Sequence, residues 1–263
     1  MNEVLQAADL LLDAVSSLRI PFGLERSFRI GPGRIFDNRF LLSISRGALG
    51  AEADRRLLEL VTRIDLPSEF VSSADRLIRG SRFVHFGFEQ EDQSASFKLY
   101  FERPAPLRPT APVLLYEAFK WDIGNPARRT VSRYVWNPLS PAQLSARIHS
   151  MHTTDSELAR LAVSILDRAF QTLGQGDLRL LEVTDEGTAR QSWDVNLYAA
   201  NVRIVDLEQM VRALSRHFAI DEALVAGICE PIRTSLVGHI AGGVHRDGNE
   251  FFTVYHGVER RQG

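Results

Sequence analysis

The chain has one cysteine, Cys229, in 263 residues, so no intramolecular disulfide and no thiolate zinc cluster can form. It lacks an excess of either charge: 31 basic against 33 acidic side chains leave a net charge of -2. Without a basic surplus to neutralise phosphates, nucleic acid is not an expected partner. No apolar run approaches the length of a membrane span, and Met1–Val4 has no basic leader region. A soluble, cytoplasmic protein without a membrane span is expected. Nucleophile-elbow Gly-x-Ser-x-Gly, dinucleotide Gly-x-Gly-x-x-Gly and Asp-Asp-x-x-Asp patterns are all missing. Lysine is nearly missing too. Lys98 and Lys120 are the only two, both inside β-like runs, and arginine supplies the rest.

What is present is globular. The chain is 44% hydrophobic and 24% charged, enough to bury a core. Apolar spacing predicts helices over about 3–18, 50–63, 68–78, 141–150, 154–173, 205–217 and 221–229. The fifth has Thr154 or Asp155 as its cap and stops before Gly174. Between them lie paired β-like runs: 27–30 with 40–45, 83–88 with 96–101, 113–120 with 130–136, 179–184 with 192–199, and 234–241 with 251–255. Gly31-Pro32-Gly33 and Asp247-Gly248 are strong turn signals. The segment Arg103–Pro112 holds four prolines and reads as an extended connector inside a single domain over 1–263.

These elements predict an α+β fold: ten antiparallel strands in five hairpins, closed into a barrel ringed by helices in repeated αββα units. Closure removes the sheet edges that would otherwise be exposed, and ten strands leave a lumen wide enough for a ligand. The alternative is an open α+β sheet with helices on one face.

Side chains alternate across a strand. Phe97, Leu99 and Phe101 share one face, opposite Ser96, Lys98, Tyr100 and Glu102. Trp193, Val195 and Leu197 oppose Ser192, Asp194, Asn196 and Tyr198. Phe252 and Val254 oppose Thr253 and Tyr255. Three second strands thus read polar, apolar, tyrosine: Lys98-Leu99-Tyr100, Asn196-Leu197-Tyr198 and Thr253-Val254-Tyr255. In a closed sheet with helices outside, the polar face lines the lumen; in an open sheet it meets solvent.

On these residues the sequence resembles the aromatic prenyltransferases of the ABBA, or PT-barrel, fold. Lys98-Leu99-Tyr100 matches that family's Lys-x-Tyr strand motif, and Tyr198 and Tyr255 match its later tyrosines. The resemblance implies a ten-stranded barrel binding two small molecules, an allylic diphosphate and an aromatic acceptor. It implies that Lys98, Lys120 and Arg133, with Asn196, hold the diphosphate by charge-assisted hydrogen bonds. Tyr100, Tyr198 and Tyr255 would shield the allylic cation, and Glu89 would orient the acceptor and take its proton. No cofactor is required, magnesium being admissible. The chain departs from the family where Arg103–Pro112 replaces the helices between the second and third hairpins. Asn196 and Thr253 also stand where a basic residue often sits. Two other readings follow: a noncatalytic barrel binding a small ligand, or a metal-assisted enzyme using His239, His245 and His256.

Overall fold

The structure, a computed structural model, describes residues 3–152, 155–173 and 178–263. Thr154 and Gly174, the expected cap and stop of the fifth helix, lie outside the described residues. Ten strands form one closed barrel: β1 (Pro21–Gly31), β2 (Arg34–Ser45), β3 (Phe83–Glu91), β4 (Ser94–Glu102), β5 (Val113–Asp122), β6 (Arg129–Asn137), β7 (Arg179–Asp185), β8 (Gln191–Asn196), β9 (Val237–Val244) and β10 (Glu250–Gln262). Each strand pairs antiparallel with the next, and β1 pairs with β10 to close the ring. The closed sheet is the architecture that the likeness to PT-barrel prenyltransferases implies, and the open-sheet alternative falls.

Helices α1 (Glu3–Ser16), α2 (Ala53–Arg63), α3 (Ser68–Gly80), α4 (Pro141–Ser150), α5 (Glu157–Leu173), α6 (Glu208–His217) and α7 (Glu222–Cys229) lie outside the barrel. Helix α4 begins on a capping box, Ser140 with Gln143, followed by Pro141 at the first helical position. Two separate apolar layers hold helices to strands. Leu11 and Val15 of α1, Leu57 of α2 and Ile78 of α3 pack on Leu42, Ile44, Phe86 and Leu99. Leu158 and Leu166 of α5 and Leu214 of α6 pack on Trp193, Val195, Ile240 and Val254. Each such buried side chain contributes about 1.5–3 kcal/mol. The hydrophobic core is therefore a shell outside the barrel, which frees the interior for polar groups.

Helix α3 covers one end of the outer face of β5 and β6, where Phe70 stacks on Phe119, and Ala105 of the Arg103–Pro112 connector packs beside Leu115 and Trp136 at the other. The same face carries charge, with Glu117 opposite Arg133, Arg133 paired to Glu186 and Arg103 to Glu117. One strand expectation fails locally. Strand β8 ends at Asn196, because the Asn196 side-chain oxygen accepts a hydrogen bond from the Tyr198 backbone N–H. That turn diverts the chain, and Tyr198 opens a short 3₁₀ turn, Tyr198–Ala200, rather than extending the strand.

Candidate functional site

Alternation sends one face of every strand into the lumen, and successive lumen residues step along the barrel axis. Strand β4 illustrates this. Phe97, Leu99 and Phe101 are buried under the helices, while Lys98, Tyr100 and Glu102 line the interior. The lumen so formed has a cationic end, an aromatic middle and an acidic end.

At the cationic end, near the hairpin turns, stand Arg29 (β1), Arg39 (β2), Lys98 (β4), Lys120 (β5), Arg190 and Arg246. Among the described residues three carboxylates form ion pairs with these six cations, Glu89 and Glu91 of β3 and Asp185 of β7, and Asp194 of β8 lines the same cleft. Glu89 is the hub. It pairs with Arg39, with Lys98 at 2.6 Å and with Lys120 at 2.8 Å. Burial alone would raise its pKa. Arg39, Lys120 and Lys98 outweigh burial and hold the carboxyl well below the ordinary range. Burial dominates at Lys98 despite Glu89, pulling its pKa down to about 7. Asp185 takes Arg190 at 3.1 Å, Arg246 at 2.8 Å and the Ser132 hydroxyl at 2.5 Å.

Below this cluster opens a chamber of about 350 Å³. All five tyrosines of the chain line it: Tyr100, Tyr116, Tyr134, Tyr198 and Tyr255. Tyr134 meets Tyr100 and Tyr116 edge to face, with centroids 5.6 and 5.8 Å apart. Burial raises the phenol pKa of all five. They are neutral rings whose faces offer negative potential to a cation.

At the far end Glu25 (β1), Asp194 (β8) and Glu102 (β4) join the chamber wall, with Arg179 and Asn196. His239 of β9 lies between two carboxylates. Its Nδ1 is 2.8 Å from Asp194 and its Nε2 is 3.2 Å from Glu25. Its ring stacks on Tyr255 at 3.7 Å and 8°. Burial opposes its charge, but Asp194 and Glu25 prevail and raise its pKa to about 10. His239 is therefore an imidazolium at neutral pH. Gly238 makes room for this arrangement: a Cβ there would lie 1.9 Å from Glu25 Oε1 and 2.6 Å from the Tyr198 ring. Ser43 (β2) and His85 (β3) also reach this end, Ser43 Oγ lying 2.8 Å from His85 Nδ1.

The structure thus brings Lys98, Lys120 and Glu89 together at one end, and Tyr100, Tyr198, Tyr255 and Asn196 into the chamber beside it. It does not bring Arg133 there. Arg133 projects outward from β6, half exposed and paired with Glu186, because its neighbours Ser132 and Tyr134 take the inner face. Glu89 lies among the cations as their shared counter-ion, away from the acidic end of the chamber. The three histidines do not converge either. His239 lies in the chamber, His245 at the cationic mouth, and His256 on the outer face against Phe28. Among the described residues no group of three or more His, Cys, Asp or Glu is arranged to hold a metal ion.

Sequence reading missed Arg29, Arg39 and Arg190, and Glu25, Ser43 and His85. The signal for Arg29 was there: Glu25, Ser27 and Arg29 alternate with Leu24, Arg26, Phe28 and Ile30, a face that is apolar except at Arg26.

No family model matches the sequence, and no curated protein matches it significantly. Solved structures do. AnaPT from Neosartorya fischeri is 15% identical, over 89% of this chain and 77% of that one, with a TM-score of 0.49. The NotF prenyltransferase is 9% identical, over 89% of this chain and 80% of that one, also with a TM-score of 0.49.

Proposed function

We propose that the protein is an aromatic prenyltransferase-like enzyme, which moves a short prenyl group from an allylic diphosphate to an aromatic small molecule. One observation carries this reading: every tyrosine of the chain lines a single chamber directly beside a cluster of six cationic side chains. Heterolysis of an allylic C–O bond leaves the electron pair on the diphosphate and a delocalised cation on the prenyl group. Lys98, Lys120, Arg39 and Arg190 suit the anion, through charge-assisted hydrogen bonds. Tyrosine faces suit the cation, at about 0.5–2 kcal/mol each, and keep out the water that would quench it. The ring of the acceptor then attacks the cation, a carbon–carbon bond forms, and a proton leaves. Asn196, at the far end of the chamber, faces the acceptor rather than the diphosphate in this reading.

A second reading, a noncatalytic ligand-binding barrel, draws support from Glu89. Its two oxygens already span Lys98 and Lys120, and only about 40 Å³ is free among the cations. A diphosphate must displace Glu89 or move the side chains around it.

Turnover separates the two. The protein is incubated with dimethylallyl diphosphate and indole or 2-naphthol, with and without magnesium. Adduct is read by mass spectrometry and diphosphate release by a coupled assay. Prenylated product that disappears in Lys98→Ala supports the enzyme. Saturable diphosphate binding without product or release supports the binding protein, and neither binding nor product sinks both.

A further inference from the structure

The two chamber histidines differ in one respect that decides what each can do. His239 has a carboxylate on both ring nitrogens, so both nitrogens carry hydrogen and neither can accept a proton. His85 has a carboxylate on one side only. Its Nε2 is 3.2 Å from Glu102 Oε2 and its Nδ1 is 2.8 Å from Ser43 Oγ. An ionised carboxylate only accepts, so Nε2 carries the hydrogen. Nδ1 keeps its lone pair and accepts from the Ser43 hydroxyl. This is the arrangement of a nucleophile or proton carrier, a base and an orienting carboxylate in series.

Three adjacent strands build it. Ser43 and His85 are direct cross-strand partners, and Glu102 sits on the next strand, opposite Phe83. The His85 ring is held by Tyr116, edge-on at 5.7 Å, and by Phe83 at 6.1 Å. The Tyr116 hydroxyl reaches Glu102 at 3.5 Å. Gly23 of β1, opposite Ser43, places no side chain over the serine. A tie between strands is not needed here, since β2, β3 and β4 are laddered through this region. All three polar groups line the chamber wall.

We infer that Ser43, His85 and Glu102 form the chamber's proton relay, the base that takes the proton released by the acceptor. As a step in transfer this rests on the prenyltransferase reading. After the prenyl carbon has bonded to the ring, the ring C–H bond breaks and its electron pair restores aromaticity. The proton passes to Ser43 Oγ while the serine's own proton moves to His85 Nδ1. The resulting imidazolium is stabilised by Glu102 and returns its proton to water when product leaves. For an acceptor that reacts through oxygen, the phenolic O–H proton takes the same route.

The test has two arms. In the first, 4-nitrophenol is titrated into wild type, His85→Gln, Ser43→Ala and Glu102→Gln, and its ionisation is followed by phenolate absorbance across pH. Proton transfer to the relay lowers the pH at which the bound phenol ionises in wild type. Glutamine at 85 abolishes that shift. Glu102→Gln removes the negative charge that stabilises the imidazolium and reduces the shift. Ser43→Ala is the mildest change and tests the relay if the His85 variant does not fold. Wild type and all variants ionising the phenol at the same pH overturns the inference.

In the second arm, ring-deuterated indole and dimethylallyl diphosphate are supplied. His85→Gln is expected to lose product formation about tenfold or more. It should also gain a primary isotope effect absent in wild type, while diphosphate release continues as water captures the prenyl cation to give the alcohol and a proton. A merely structural role would slow both readouts together without an isotope effect, and that result overturns the inference. Phenol ionisation that depends on His85, in a wild type that makes no product, leaves the relay standing and removes the prenyl-transfer reading.

Discussion

The two ends of the lumen are built from the same strands and carry opposite charge. On β4, Lys98 belongs to the cationic end and Glu102 to the acidic end, with Tyr100 between them. On β3, Glu89 sits among the cations and His85 at the far end. Four residues of strand separate them, about 13 Å at roughly 3.3 Å per residue. The cationic end is crowded, its arginines and lysines paired with Glu89, Glu91 and Asp185. The acidic end is roomier and carries His85 and His239. A barrel whose interior is stepped in this way can hold an anion at one end and a proton donor at the other, with neutral aromatic rings between them.

The comparison breaks most severely where a buried charge loses its partner. Arg39→Ala leaves Glu89 without one of its three cations, and a loss of about 3–5 kcal/mol is expected in denaturant unfolding. The equivalent exposed pair, Arg133–Glu186, is worth under about 1 kcal/mol.

The pH dependence of stability sharpens the contrast, because the ends titrate in opposite senses. His239 binds its proton more tightly folded than unfolded, its pKa being raised to about 10. Its contribution is complete below about pH 6.5 and is lost as pH rises through 10. Lys98 is lowered to about 7. Between pH 7 and about 10.4 the unfolded chain holds the proton that the folded one has shed, so stability rises with pH. In Lys98→Met the His239 contribution stands alone, and stability should fall by a few kcal/mol from pH 7 to 10. In His239→Gln it should rise over the same range. Thermal or urea unfolding at several pH values reads both; slopes of equal sign would refute the assignment.

A smaller effect is expected at Gly238→Ala. The added Cβ meets Glu25 and Tyr198, costing about 1–3 kcal/mol by overpacking. It should disturb acceptor binding at the acidic end and leave diphosphate binding intact, which titration of each ligand checks separately. Smallest of all is Arg133→Ala, outside the barrel, with stability expected within about 0.5 kcal/mol of wild type and no change in anion binding.

The ten strands and their closure were legible because a two-residue period in β4, β8 and β10 cannot be mistaken for a helix. Paired apolar faces on that many strands also need helices outside. Lys98, Lys120, Tyr100 and Tyr255 were legible for the same reason. Arg39 was not, since the expected strand began at Phe40, one residue too late, whereas β2 starts at Arg34. Arg190 precedes β8 and lay beyond the expected strand. Arg133 was placed inside although Tyr134 follows it directly, and adjacent strand residues face opposite ways. That conflict was readable in advance. The roles of Glu89, Glu25 and His85 were not readable, because cross-strand register decides which charges meet, and no local pattern records it.

The measurement that tests the central claim most directly is calorimetric titration of a non-hydrolysable dimethylallyl diphosphate analogue, with and without magnesium. It compares wild type, Lys98→Ala at the cationic end and His239→Gln at the acidic end. The account predicts micromolar binding by wild type, about -8 kcal/mol, weakened tenfold or more by Lys98→Ala and little changed by His239→Gln. No binding by wild type in either buffer, or equal losses at both ends, would contradict it.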